Sequence, residues 1–349
     1  MVDPSPSRLH SQAPQNKIVP QRGCENLRSP DITQTTQCST PKADGEPEWV
    51  MKREPNTRPV TLDQLVSEIR GIYAALVKVE DECIESVSKF SEKQGSISDE
   101  EWNELLILHQ TALYEFCDFF FATRHPVAAK SEKLKNVITK YSMPARLWRH
   151  AIYRLLDLMR KHLSESQAYI HRFIGLAFNM ITVLYENTQD LSDVWAECLG
   201  DLARFRMAIE SDLTEDRALY LGIAKYWYRR SIDLDPGVGQ RYHHISILSR
   251  PALLEQLFNY TKSLCTTKPF ATSKETILSL FTQVDERRTE GCPPVEITLV
   301  KVHRAIMLNS DDKVFHNGLD QLVSELGEFL LGKDTVGPTE NENSLKQFL

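Results

Sequence analysis

The sequence has no apolar run approaching the roughly 18 residues that a membrane-spanning helix needs. It also has no alternating Val/Ile-rich stretch of strand length. The first lack excludes a transmembrane helix; the second leaves helices as the only regular structure the pattern supports. Seven cysteines (Cys24, Cys38, Cys83, Cys117, Cys198, Cys265 and Cys292) are scattered through 349 residues with no C-x-x-C pair. That spacing supplies neither a disulfide framework nor a zinc site, and it reads as a set of reduced thiols. The opening Met1-Val2-Asp3-Pro4-Ser5 carries no apolar secretory core, so the expected compartment is the nucleus or the cytoplasm. Catalytic signatures are just as scarce. Gly237-Val238-Gly239 lacks the Gly-Lys-Ser/Thr of a phosphate loop. His243 and His244 are neighbours, not the i, i+4 pair that chelates a metal from a helix. His125 and His303 read as cap or packing residues, and neither G-x-S-x-G nor H-E-x-x-H occurs. The expectation is a protein with no enzymatic activity, no cofactor and no bound metal.

What is present organises the chain into four parts. Residues 1–56 hold eight of the seventeen prolines and almost no apolar cluster. Such a segment cannot bury enough surface to offset its ordering entropy, and it is expected to be a disordered tail. Ser5-Pro6, Ser29-Pro30 and Thr40-Pro41 fit either proline-directed phosphorylation or ordinary linker composition. Residues 57–270 form the main helical domain, 271–332 a partial C-terminal helical region, and 333–349 a polar, flexible tail.

Order is expected from Thr61, where Thr61-x-x-Gln64 is a capping box. Leu65, Ile69, Ile72, Leu76, Val79, Cys83 and Val87 then recur at steps of three and four, an amphipathic helix. A second box, Ser98-x-x-Glu101, opens a helix that closes on Phe119-Phe120-Phe121 ahead of His125-Pro126. Pro144 sits at the first turn of a third helix. Further helices are expected over 167–187, 192–209, 218–234, 242–264, 273–284, 295–308 and 318–331.

Two of these helices end on one ruler. Ala224, Tyr228, Ser231 and Pro236 stand at steps of four, three and five, and Leu257, Thr261, Leu264 and Pro269 repeat them, so the prolines lie thirty-three residues apart. Steps of four and three place the side chains on one helix face, and proline ends the helix. The period is that of the second half of a tetratricopeptide hairpin. The fold class expected is all-α, built of antiparallel helical hairpins in a right-handed array, with Gly200 at a close helix crossing.

Several ordered blocks carry a resemblance. They include Cys117-Asp118-Phe119-Phe120-Phe121-Ala122-Thr123-Arg124-His125-Pro126 and Tyr141-Ser142-Met143-Pro144-Ala145-Arg146-Leu147-Trp148-Arg149-His150. Glu197 to Glu210, Tyr242 to Leu248 and Thr266 to Phe270 follow in the same order. Over roughly residues 100–325 the chain resembles the fungal branch of the ever-shorter-telomeres family, relatives of the adaptors of nonsense-mediated mRNA decay. The resemblance implies a 14-3-3-like tetratricopeptide domain followed by a helical region of DNA/RNA-binding type. The stretch Val300 to Leu308 looks like that region's first helix, and the region is expected to be only partly present.

The same resemblance implies a phosphopeptide pocket. Gly200-Asp201-Leu202-Ala203-Arg204-Phe205 places Arg204 as the phosphate-binding arginine, a role suited to a guanidinium that bonds two oxygens and never loses its charge. Phe205 stands where the family has a tyrosine. The family's second cation falls on Tyr153, with Arg154 beside it and Arg149 one turn earlier. The alternative leaves Arg204 structural, paired with Asp201, Glu197 or another acid.

Charge distribution is uneven although the net charge is only −7. Between Arg124 and Lys161 ten basic residues meet two acids, a net +8, with Arg146, Lys140, Arg160 and Lys161 counted as basic surface. Between Ala177 and Arg217 nine acids meet three arginines, a net −6. The strip is a solvated structural face, a seat for an acidic or phosphorylated protein, or a contact for RNA or single-stranded DNA. The leading expectation is a non-catalytic adaptor for a phosphorylated or acidic protein partner, in mRNA decay or telomere maintenance. The alternative is a module that binds telomerase RNA or telomeric single strands.

Overall fold

The computed structural model describes residues 59–93, 95–210, 215–285 and 291–331. The expectations for 1–56 and 333–349, including Cys24, Cys38 and the three Ser/Thr-Pro sites, lie outside the described residues. Among the described residues the regular structure is helical, with a single isolated bridge between Val238 and Lys268.

The two capping boxes open the first hairpin. Thr61 Oγ1 accepts from Gln64 N–H while the Gln64 side chain accepts from Thr61 N–H, starting α1 (Leu62–Glu92). Ser98 and Glu101 exchange the same bonds to start α2 (Asp99–Arg124). Three single turns follow, α3 (Glu132–Lys135), α4 (Val137–Lys140) and α5 (Met143–Arg146), the last with Pro144 in its first turn. The helix begun at α5 widens to π spacing over Leu147–Tyr153, where Arg154 N–H donates to Arg149 carbonyl, and returns to α geometry as α6 (Arg154–Lys161). Then come α7 (Leu163–Asn187), α8 (Ser192–Ile209) and α9 (Glu215–Leu234).

The expected helix over 242–264 is two helices, α10 (Gly239–Leu248) and α11 (Leu253–Leu264), parted at Pro251. Proline has no N–H to continue the ladder, so the apolar spacing runs on while the helix does not. The chain ends its described part with α12 (Thr272–Asp285), α13 (Pro294–Met307) and α14 (Asp312–Leu330).

Three apolar clusters hold these helices. The first, spanning α1 to α8, is built on Trp102, Phe116, Phe119, Phe120, Phe173 and Trp195, all fully buried. Trp195 also donates its indole N–H to Thr188 Oγ1 at 2.7 Å, so its polar atom is satisfied in the core. The second is small and joins α8, α9 and α10 through Ala203, Ala224, Tyr228, Ile245 and Leu248. The third gathers Leu253, Leu257, Tyr260, Ile277, Leu280, Phe281, Val284 and Val300 from α11, α12 and α13.

The shared ruler has a physical counterpart. Ala224, Tyr228 and Ser231 are buried, as is Leu257, whereas Thr261 and Leu264 are half-buried. The two proline-ended turns meet: Gly239 N–H donates to Lys268 carbonyl at 3.0 Å, and Lys268 N–H donates to Gly237 carbonyl at 2.9 Å. Gly239 is required there, because a Cβ would lie 2.3 Å from the Ser263 carbonyl oxygen.

Candidate functional site

The residues proposed for a phosphate pocket lie on α8 and on the π segment leading into α6. Gly200 brings α8 against α9: a Cβ on it would stand 2.9 Å from the Tyr228 ring, so only glycine lets the ring lie flat on the helix. That approach places the Tyr228 hydroxyl beside Asp201, to which it donates at 2.6 Å. Burial, and then the Asp201 charge, hold this phenol well above its ordinary pKa, so it keeps its proton.

Arg204, one turn beyond Asp201, donates from Nη2 to Asp201 Oδ1 at 2.7 Å and from Nε to the Tyr228 hydroxyl at 3.1 Å. Its side chain is 32% exposed. Burial opposes its charge, but the Tyr228 and Asp201 oxygens outweigh that, and the guanidinium is held above its usual range. Its Nε and Nη2 are therefore committed inside the fold, the second of them in a charge-balancing pair. His244, from α10, approaches the same carboxylate oxygen, with Nδ1 3.6 Å from Asp201 Oδ1 and its ring 4.9 Å from that of Tyr228. Burial first, with Arg204 and His243 adding to it, drives the His244 pKa down to about 4 against the pull of Asp201.

Tyr153 and Phe205 do come together, although 52 positions separate them in the sequence. Their ring centroids are 6.1 Å apart in an edge-to-face pair, and the Arg204 guanidinium stands 5.8 Å from the Phe205 centroid. Tyr153 is 42% exposed, while Phe205 is buried. Arg149 is exposed and Arg154 half-buried, and among the described residues neither makes an ion pair. The structure thus brings Tyr153 against Phe205, which Arg204 also flanks, and it shows no contact of Arg149 or Arg154 with that trio.

The basic strip divides. Arg146, counted as basic surface, is turned inward: it forms a two-armed pair with the buried Glu80, its Nε donating to Oε1 at 3.1 Å, and its Nη1 donates to Tyr73 hydroxyl at 3.2 Å. A carboxylate that far inside needs a cation, and the arginine immediately before the π segment is the one in reach. His150 approaches the same Glu80 at 4.0 Å. Arg124 is bound to Asp190 of the acidic segment, so part of the charge asymmetry is cancelled within the fold. Arg160 and Lys161 are exposed, and each pairs with Asp157 at 2.9 Å. Lys140 is exposed, its ammonium 5.3 Å from the Tyr141 ring.

A second face lies on α9, where Lys225-Tyr226-Trp227-Tyr228-Arg229-Arg230 sets three aromatics between cations, a pattern that the apolar spacing of Ala224, Tyr228 and Ser231 does not reveal. The pattern itself was the available signal.

Comparison with known proteins bears on the part of the chain that contains this helix. Residues 224–331 match the family model of the Est1 DNA/RNA binding domain, a stretch that begins inside α9, upstream of the division at 270/271 expected from the shift in helix pattern. The chain is also 29% identical over 92 residues to the Telomerase-binding protein EST1A of Danio rerio, a segment that is 26% of this chain and 6% of that protein. Both likenesses support an Est1-type relationship, and the family match is carried by the helices from α9 onward.

Proposed function

We propose that the chain is a non-catalytic helical adaptor that contacts RNA or single-stranded DNA through the helices from α9 onward. The observation that carries this reading is the match of 224–331 to a DNA/RNA-binding family model. The helices before it form one large closed core, suited to hold that region and a protein partner in fixed relation. We take those earlier helices as a 14-3-3-like tetratricopeptide array and telomere maintenance or mRNA decay as the setting, a reading supported by the hairpin ruler and by the telomerase-binding relative. Ultraviolet crosslinking of the full chain to single-stranded RNA and DNA, followed by peptide mapping, tests it. Crosslinked peptides from within 224–331 are expected; crosslinks confined to residues before 210, or none, would sink it.

One observation favours a second reading. Tyr153 packs on Phe205, which Arg204 also flanks, as a phosphopeptide pocket requires, with Arg149 and Arg154 as the cations free to join it. Against it stands Asp201, which already takes up the Arg204 charge. Calorimetry with phosphoserine peptides on the wild type and Arg204→Glu decides. Binding that charge reversal abolishes supports the pocket, and equal heats for both proteins reject it.

A further inference from the structure

The outer face of α9 carries an aromatic strip with a cation at its end. Leu219, Gly222, Ile223, Tyr226 and Trp227 line a shallow depression of about 490 Å³. Leu219 and Tyr226 are 58% and 61% exposed, a large apolar display on a helix whose other face is buried in the second core. Gly222 leaves open space where a Cβ would otherwise stand, which widens the depression.

The rings are held, not loose. Trp227 meets Tyr226 at 5.2 Å and Tyr185 at 5.3 Å, with interplanar angles of 77° and 80°, and reaches Phe178 at 6.4 Å. Edge-to-face packing of this kind fixes Tyr226 from the side and leaves a face of its ring to solvent. Arg230, one turn beyond Tyr226 on the same side of the helix, donates from Nε to the Tyr185 hydroxyl at 3.1 Å. Its charge is spent on no carboxylate within ion-pair distance among the described residues. Lys225 and Arg229 both lean on Glu255, at 3.4 and 3.3 Å, whereas Arg230 feels Asp233 only beyond ion-pair distance, which makes it the cation of the strip most open to a phosphate.

An exposed, rigid ring beside a cation that is held by a phenol matches the needs of an unpaired nucleotide: a π-face for the base and a donor for the phosphate. An apolar peptide would use the depression but would leave Arg230 without a counter-charge. We propose that Tyr226 and Trp227 form a stacking platform for the bases of a single-stranded nucleic acid, with Arg230 on its phosphate backbone. The proposal rests on the nucleic-acid reading above and assigns it a place.

Fluorescence anisotropy of the full chain with labelled oligo(U) and oligo(dT) of about twelve nucleotides tests it. Tyr226→Ala is expected to weaken binding about tenfold or more, and Tyr226→Phe to restore it, because stacking needs the ring and not the hydroxyl. Arg230→Gln is expected to lower the slope of log affinity against log salt by about 0.7, one single-strand phosphate contact. The two oligonucleotides tell RNA from DNA. If the wild type binds and Tyr226→Ala binds equally, the platform is wrong while the nucleic-acid reading stands. If the wild type binds neither oligonucleotide, both fall. If sedimentation shows a dimer that Leu219→Ala and Tyr226→Ala dissolve, the strip belongs to a second copy of the chain and the proposal is overturned.

Discussion

The first hairpins and the last differ in what they do with apolar side chains. Between α1 and α8 every large helix sends its stripe into one cluster, and Trp102, Phe116, Phe119, Phe120 and Trp195 have no accessible surface. The helix α14 buries none of its residues, and Val314, Val323 and Leu330 are 59%, 65% and 74% exposed. Both regions have amphipathic sequences; what separates them, among the described residues, is how many helices surround the stripe, since α14 packs chiefly on α13. Amphipathicity is a demand for a partner, and stability comes only where the demand is met. The joint between the two regions, α8 to α10, depends on one tyrosine.

Tyr228→Ala is expected to have the largest effect, about 3–5 kcal/mol, by emptying the small joint core and leaving Asp201 one donor short. Denaturant unfolding measures it; a loss below about 1 kcal/mol would mean that the joint is held elsewhere.

Acidification should come next. His109 donates from Nδ1 to the Ala151 carbonyl at 2.8 Å, leaving its Nε2 a buried acceptor without a partner, so the ring is neutral. Burial lowers the pKa of His109 and of His244 from 6.5 to about 4 each. A histidine with a depressed folded pKa contributes stability that is complete above the unfolded value of 6.5. That contribution fades as pH falls toward 4, by on the order of 3 kcal/mol per site. Thermal melts between pH 7 and pH 4 should show the fall, and His109→Gln should reduce it by about half, leaving the His244 share. A melting temperature that is level across the range would place these rings in contact with water.

Gly200→Leu should cost about 1–3 kcal/mol, since a side chain there meets the Tyr228 ring. Combined with Tyr228→Ala its cost should shrink, as the obstacle is gone, and a double-mutant cycle reads that coupling. Strict additivity would contradict the crossing described here.

Val323→Ser on α14 should be the mildest change, within about 0.5 kcal/mol, because the position is exposed. Equilibrium unfolding of this variant sharpens the comparison between the two regions. A cost near that of a core truncation would show that α14 is covered in solution.

Much of the architecture was legible locally. Helix α8 falls on the span 192–209 expected from spacing, and both capping boxes form with both of their bonds. These features depend on residues within one turn of each other. Pro251 was read through, because the apolar rhythm on either side continues and periodicity does not register a missing N–H. The site was legible in part. Tyr153 and Phe205 were named as partners only through a resemblance, and their ring contact depends on how α6 and α8 sit across the first core. The α9 platform is visible as three aromatics flanked by cations, but which of its rings faces outward depends on where α8 packs: Tyr228 is buried and Tyr226, two residues earlier, is open.

The sequence by itself determined the helical class, the starts of the first helices and the stops at the proline-ended turns. These follow from backbone hydrogen bonds, caps and ring closure, all of them short-range. Only the tertiary structure decided the meaning of the charges. Arg146 and Arg149 are three residues apart in one basic strip, yet one is locked to Glu80, sixty-six residues away, and the other stands in solvent. Counting charge along a chain cannot tell them apart, because desolvation and pairing act through space, and it is the packing of α1 against the π segment that sets which arginine is taken.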